Sequence, residues 1–341
     1  MKYGTCSLRD VALAAGVDPS TVSRALRGSS RVAAGTRERV LAIAKSMDYT
    51  PNVLAQALKG QRTRTIGILV ASLELPFFVD LLRAQERWLY RNGYVTVVSV
   101  SHGSPPREQA DILARMQSRA VEGVCIGFPD PNTVDAYHAA AAAGVPLCAY
   151  CEKSCLHELD SIPMSLAVCD LSRGVSLLID HLISLSHERI AFVGYLNMRQ
   201  EEFQQAVQEH GLMARPDYVL APGNESDGAV AETCKRLCRL DPAPTAVVVQ
   251  SDEMAVRLIK ALSAAGRDVP GDISVVGINN NPVGELIPTP LTTLALPTGD
   301  IGEWMAEAVA RDIETSPHQP EVRYFPTNVI VRASTAPALS H

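Results

Sequence analysis

Residues 7–58 read SLRDVALAAGVDPSTVSRALRGSSRVAAGTRERVLAIAKSMDYTPNVLAQAL, and the punctuation of this stretch decides the architecture around it. Ser7 is a helix-capping residue, and Asp10 three positions on places a carboxylate in the first turn, where the helix dipole favours it. Leu8, Val11, Ala12 and Ala15 recur at helical spacing, so this helix buries one face. Gly16 breaks it and Val17 anchors the turn. Asp18 caps a second helix, and Pro19 fits its first position, where no amide hydrogen is needed. Val22 and Leu26 face inward in this reading, which leaves Ser20, Thr21, Ser23, Arg24 and Arg27 toward solvent. Two short helices joined by a Gly-containing turn predict a helix-turn-helix, whose second helix enters the major groove of DNA. A third helix is expected near 36–47, with Val40, Leu41 and Ala44 as its apolar side.

Charge supports that reading. Residues 1–65 hold eleven Lys and Arg against four acids, a balance of +7, while the whole chain stands at −6. The remaining residues therefore carry −13, and a basic head on an acidic body is the footprint of nucleic-acid binding.

The segment DVALAAGVDPSTVSRAL…TRERVLAIAKSMDYTPNVLAQAL resembles the head of the LacI–GalR family of bacterial transcription regulators, and the resemblance runs to about residue 334. It implies that Pro19, Ser20 and Arg24 face base edges. Pro19 has no donor and no polar side chain, so discrimination rests on Ser20, Arg24 and also Arg9. Ser7, Thr36, Tyr49 and Asn52 become phosphate contacts, which position without specifying. Leu8, Thr21, Arg27, Arg31, Ala55 and Lys59 complete the candidate DNA-contacting set. Pro51–Leu58 reads as a hinge of about two turns, too short to persist alone in water. In the family, a Leu at the position of Leu58 wedges into the minor groove at the operator centre, with paired hinges from a homodimer on a pseudo-palindromic site.

Beyond residue 64 strands alternate with helices. TIGILVAS, YVTVVSV, VEGVCIGF and VPLCAY read as strands, and the pattern restarts after residue 165 with ERIAFVGYL, DYVL, TAVVVQ and DISVVGI. Such alternation predicts parallel sheets covered on both faces. The expected fold is thus an all-α helix-turn-helix head with a hinge helix, plus an α/β core of two Rossmann-like parallel-sheet lobes of the periplasmic-binding-protein type. The expected domains are the head at 1–50, hinge and linker at 51–64, lobe 1 at 65–165 plus 294–322, lobe 2 at 166–293 plus 323–334, and a disordered tail at 335–341. The return of 294–322 to lobe 1 comes from the resemblance, and YFPTNVIVRAS is expected to supply one late strand.

Ligands in open parallel sheets sit beyond the carboxyl ends of the strands. The resemblance places a small-molecule effector between the lobes, against Phe77, Arg199, Ser251, Asp252 and Asn279. The chain departs from the family at several of these points. Leu75 stands for Asn, Glu202 for Gly, Ser251 for Asn, and Asn279 and Asn280 for an Asp pair, while Gly223 takes the place of a stacking aromatic. With Arg199 kept and an acid lost, the expected effector is anionic or phosphorylated rather than a plain neutral hexose. A receptor with little or no effector response is the alternative left open.

Other classes fare worse. The chain has no GxxxxGK[ST], no GxGxxG after the first strand, no GxSxG and no HExxH, so no enzymatic role is expected. No apolar run reaches membrane-spanning length and no secretion signal is legible, so the expected location is the cytoplasm. That, with the head, argues against a sugar-binding receptor module of the periplasmic type with little or no DNA regulation. Cys148, Cys151 and Cys155 with His157 look like a metal cluster at first sight, but they lack a second CxxC pair and Cys148 sits in an apolar strand. No metal or cofactor is expected. With no heptad tail after the core, a dimer is favoured over a tetramer.

Overall fold

The computed structural model describes residues 6–26, 28–49, 62–101, 108–195, 198–224, 226–315 and 318–338. The chain divides into two units, Met1–Thr63 and Arg64–His341. The hinge candidates Asn52, Ala55, Leu58 and Lys59, and Arg27 in the head, lie outside the described residues.

In the first unit, α1 (Leu8–Ala15), α2 (Pro19–Leu26) and α3 (Ala34–Ser46) pack on one another. Ser7 and Asp10 form a reciprocal capping box, and Gly16 closes α1 in the left-handed conformation at φ +63°, which a side chain would strain. The core gathers Val11, Ala12, Ala15, Val22, Ala25, Val32, Val40 and Ala44. Leu41, expected in this core, is exposed, and Ile43 and Met47 pack there instead. At 100° per residue, positions 40, 43, 44 and 47 share one face and 41 falls off its edge.

The second unit holds two six-stranded sheets. Sheet 1 contains β1 (Thr65–Val70), β2 (Val95–Val100), β3 (Gly123–Ile126), β4 (Leu147–Glu152), β5 (Ser165–Cys169) and β11 (Val322–Phe325). Sheet 2 contains β6 (Ile190–Val193), β7 (Val219–Leu220), β8 (Ala246–Val249), β9 (Ser274–Asn279), β10 (Thr292–Ala295) and β12 (Asn328–Ile330). Their orders are β11-β5-β4-β3-β1-β2 and β12-β10-β9-β8-β6-β7. All pairings are parallel except β10 with β12. Five of six β1 residues and every β4 residue are buried, as expected of strands covered on both faces.

Helices cover both sheets. In lobe 1 these are α4 (Pro76–Arg91), α5 (Glu108–Ser118), α6 (Val134–Ala142), the single turn α7 (Leu156–Leu159) and α12 (Thr298–Glu314). In lobe 2 they are α8 (Leu171–Ser184), α9 (Met198–Glu209), α10 (Asp227–Leu237) and α11 (Asp252–Ala264). Helix α12 lies against α4 and β3–β5. A Cβ on Gly302 would come within 2.7 Å of both the Ala84 Cβ and the Leu81 carbonyl, so this glycine sets how closely the two helices approach.

The chain changes sheet between Cys169 and Leu171, between Ala295 and Thr298, and between Phe325 and Asn328. Each crossing lies a few residues after the positions 165, 293 and 322 read from the sequence. Strand β5, SLAVC, went unread because it follows β4 with only a short turn of helix between. The segment YFPTNVIVRAS is divided: Val322–Phe325 joins sheet 1, Asn328–Ile330 joins sheet 2, and Pro326-Thr327 makes the step. The expected disordered tail is ordered through residue 338. The Ala336 carbonyl lies 3.0 Å from His187 Nε2, and the Ala338 amide donates to the Leu185 carbonyl at 2.8 Å. These bonds satisfy backbone groups that a free tail would leave to water.

Candidate functional site

On the head, α2 buries Val22 and Ala25, with Leu26 half-buried, and leaves Ser20 and Arg24 exposed. The Asp18 carboxylate accepts from the Ser20 amide at 2.7 Å. Its pKa sits below the usual carboxylate value, chiefly because the Ser20 side chain also hydrogen-bonds it. The second helix therefore starts from a fixed cap, with its first-turn polar groups outward. Arg9 and Arg31 are exposed, and Pro19, Thr21 and Thr36 are half-exposed. Leu8 and Tyr49 pack against the head core and present only an edge, and burial raises the Tyr49 phenol pKa. Ser7 is exposed, its hydroxyl held 2.7 Å from Asp10 Oδ2.

In the second unit a cavity of about 290 Å³ opens between the lobes, at the carboxyl ends of the strands. Lobe 1 lines it with Leu75, Pro76, Phe77 and Phe78 after β1, Phe128 after β3, and Tyr150 and Glu152 from the end of β4. Lobe 2 lines it with Arg199 from α9, Gln250 and Ser251 after β8, Glu253 from α11 and Asn279 from the end of β9. Four of the five expected effector residues are thus brought together.

The fifth, Asp252, is turned away. It is fully buried, its Oδ1 accepting from Thr293 Oγ1 at 2.6 Å and its Oδ2 from the Asn281 amide. A Cβ on Gly277 would meet Asp252 Oδ1 at 2.2 Å, so Gly277 makes the room for this carboxylate. Burial pushes its pKa up to about 7, against the pull of those two hydrogen bonds. Asp252 is a tie between α11, β10 and the loop after β9. Ser251 lines the cavity, but its hydroxyl is occupied as the cap of α11, accepting from the Met254 amide at 3.3 Å.

The two Asn that follow β9 part company. Asn279 has φ +111° and Asn280 φ +56°, both in the left-handed region, where a non-glycine residue is uncommon. Asn280 Oδ1 accepts from Arg332 at 2.8 Å. Asn279 Oδ1 is buried without a hydrogen-bond partner among the described residues.

Arg199 is engaged on two sides. Its Nη1 donates to the Gln250 carbonyl at 2.6 Å, and its Nη2 lies 3.5 Å from Glu152 Oε1, an ion pair across the lobes with both side chains mostly buried. Glu202, one turn along α9, is buried, and its Oε2 has no hydrogen-bond partner among the described residues. Burial and then the Glu152 charge push its pKa up to about 8, with Arg199 pulling the other way.

The aromatic surface looked for near Gly223 is supplied by lobe 1. Phe77 and Tyr150 have centroids 5.0 Å apart, tilted by 51°, and Phe128 stands 6.3 Å from Tyr150. Sequence reasoning missed Phe128, Tyr150, Glu152, Gln250 and Glu253. The signal was available: each follows or ends a strand, where ligands of parallel sheets sit. The cysteine cluster comes apart for a local reason. Residues three apart in a strand point to opposite faces, so Cys148 and Cys151 lie in different core clusters. Burial pushes the Cys151 thiol up to about 12.

The model of the family described as "Bacterial regulatory proteins, lacI family" matches residues 7–52, and that of the "Periplasmic binding protein-like domain" matches residues 179–335. The transcriptional regulator DegA of Bacillus subtilis (strain 168) is 28% identical over 340 residues, covering 97% of this chain and 98% of DegA. The transcriptional repressor PurR of Vibrio vulnificus (strain CMCP6) is 28% identical over 332 residues, covering 96% and 97%. A crystal structure of the lac repressor dimer bound to operator and the anti-inducer ONPF superposes with a TM-score of 0.85 at 25% identity, covering 97% of this chain and 99% of that one. No helix among the described residues is long and apolar enough to cross a membrane. Over nearly its whole length the chain is similar to DNA-binding transcription regulators, with a lacI-family head at residues 7–52 and a periplasmic-binding-protein-like domain at residues 179–335.

Proposed function

We propose that this protein is a homodimeric repressor that binds pseudo-palindromic DNA and whose operator affinity is set by a small molecule held between its lobes. The observation that carries the reading is the cavity, walled by both lobes, in a chain that also carries a helix-turn-helix. A ligand touching both walls favours one spacing of the lobes. It alters DNA affinity only through its differential binding to the two arrangements.

In this reading Arg24 and Ser20 meet base edges, with Arg9 beside them. A bidentate arginine on guanine is worth about 1–3 kcal/mol of discrimination. Ser7, Thr36 and Tyr49 hold the phosphate backbone, and binding weakens steeply with salt. The hinge at 51–58, with Leu58 as minor-groove wedge, joins the two half-sites of the dimer. An anionic or phosphorylated effector would need the Arg199 guanidinium to itself. Glu152 already faces that guanidinium and Glu253 lies in the same lining, which weighs against that expectation.

Selection of bound duplexes from a randomised pool by the full-length protein tests the proposal. Enrichment of a pseudo-palindrome with a fixed centre is the expected result. Salt-sensitive binding with no consensus would favour a receptor module with little DNA regulation.

A further inference from the structure

The charge inside the cavity does not balance. Glu253 lines it half-buried; its Oε1 accepts from the Asn281 side-chain amide, and no cation among the described residues lies within ion-pair distance. Arg199, the one cation of the lining, is matched by Glu152 and by the Gln250 carbonyl. A carboxylate drawn out of water is costly unless a positive partner or donors meet it.

Asn279 also lines the cavity, but its Oδ1, which has no hydrogen-bond partner among the described residues, is shielded from it at the carboxyl end of β9. Opposite these groups, Phe77, Phe128 and Tyr150 stand at tilted angles with neighbouring centroids 5.0 and 6.3 Å apart, a concave aromatic corner rather than one flat platform.

We propose that the cavity takes a small organic amine, protonated at neutral pH, with its ammonium toward Glu253 and its apolar body against Phe77 and Phe128, which Tyr150 backs from the core. The acceptor capacity left on the Glu253 carboxylate favours a primary or secondary ammonium, which can donate to it, over a quaternary one. The cavity volume of about 290 Å³ accommodates a ring with a short chain. The class of ligand rests on the reading of this cavity as the effector site and replaces the anionic expectation for it.

Titration calorimetry of the full-length protein with 2-phenylethylamine, 2-phenylethanol and 3-phenylpropionate separates charge from shape, because the three bodies are alike. The expected order is amine, then alcohol, then carboxylate, with at least tenfold between the first two. Glu253→Gln should weaken the amine about tenfold while leaving the alcohol unchanged, and Phe77→Ala should weaken both. Carboxylate or alcohol binding as tight as the amine, or no saturable amine binding, overturns the proposal. If Phe77→Ala still weakens the ligand that does bind, the effector cavity stands and only the class fails. If a ligand binds and Phe77→Ala leaves its affinity unchanged, both readings fail.

Discussion

Lobes 1 and 2 repeat one strand order, yet they turn different chemistry toward the cavity they share. Lobe 1 presents Phe77, Phe78, Phe128 and Tyr150 with one carboxylate, while lobe 2 presents Arg199, Gln250, Ser251, Glu253 and Asn279. Both lobes bury polar groups, Gln85, Ser101, Gln109, Thr133, Glu152, Ser165 and Asp312 among those of lobe 1, and in lobe 2 His187, Asp252, Ser274, Thr293 and Ser334 tie strands to neighbouring segments and to the chain end. Parallel topology dictates where the two walls stand, at the carboxyl ends of the strands. It does not dictate what fills them, so one wall can bind by area and the other by directed groups. The apolar wall is also core, whereas much of the polar wall is anchored by single bonds.

That difference should appear first as stability. Tyr150 is fully buried and packs with the lobe 1 core. Tyr150→Ala should cost about 3–5 kcal/mol in urea unfolding, while Glu253→Gln on the opposite wall stays within about 0.5 kcal/mol. Equal effects would break the comparison. Within lobe 2, Asp252→Ala removes the acceptor for Thr293 Oγ1 and the Asn281 amide together. A cost of about 1–3 kcal/mol is expected for the donors left buried, and Thr293→Val combined with it should be less than additive. A neutral result would mean that Asp252 is available for a ligand after all.

The sequence made the two lobes legible but not their walls. Buried runs such as TIGILV and AVVV identify strands without a partner in view, because full burial on both faces leaves an apolar signature. The capping box at Ser7–Asp10 and the Gly16 turn were legible for the same reason: the chemistry is local. Asp252 was misplaced because its orientation depends on Thr293, Asn281 and the missing side chain of Gly277, all distant in sequence. Glu152 was missed because its meaning lies in Arg199, which arrives from the other lobe. Segment 322–330 read as one strand because composition does not record that Pro326-Thr327 carries the chain to a second sheet.

The polar filling of lobe 2 should also make its stability depend on pH in two directions. Burial raises the Glu202 pKa to about 8 from an ordinary value of 4.5. The folded state therefore holds a proton that the unfolded state has released, and stability falls as pH rises from about 4.5 through about 8. Glu202→Gln does not titrate, so its advantage over the parent protein should grow across that window and level off above it. Urea midpoints measured at intervals across that range would sharpen the contrast, and a constant difference would remove Glu202 as its cause.

His187 gives the opposite slope and the gentlest test. Its ring is buried between Thr245 Oγ1, Ser274 Oγ and the Ala336 carbonyl, each at 3.0 Å. Burial lowers its pKa below the ordinary 6.5, although the Ala336 carbonyl draws it back toward protonation. A histidine held neutral in the fold must gain its proton mainly on unfolding. Its contribution is therefore complete above pH 6.5 and is lost as pH falls through the unfolded and then the folded value. The ring also pins residues 334–338, so acid should release the chain end before the sheet. Protection of the Ala336 and Ala338 amides, taken relative to the intrinsic exchange rate at each pH, is expected to fall below pH 6.5 while β8 stays protected. If both lose protection together, His187 supports the whole sheet rather than the chain end, and the pH response belongs to lobe 2 as one cooperative piece.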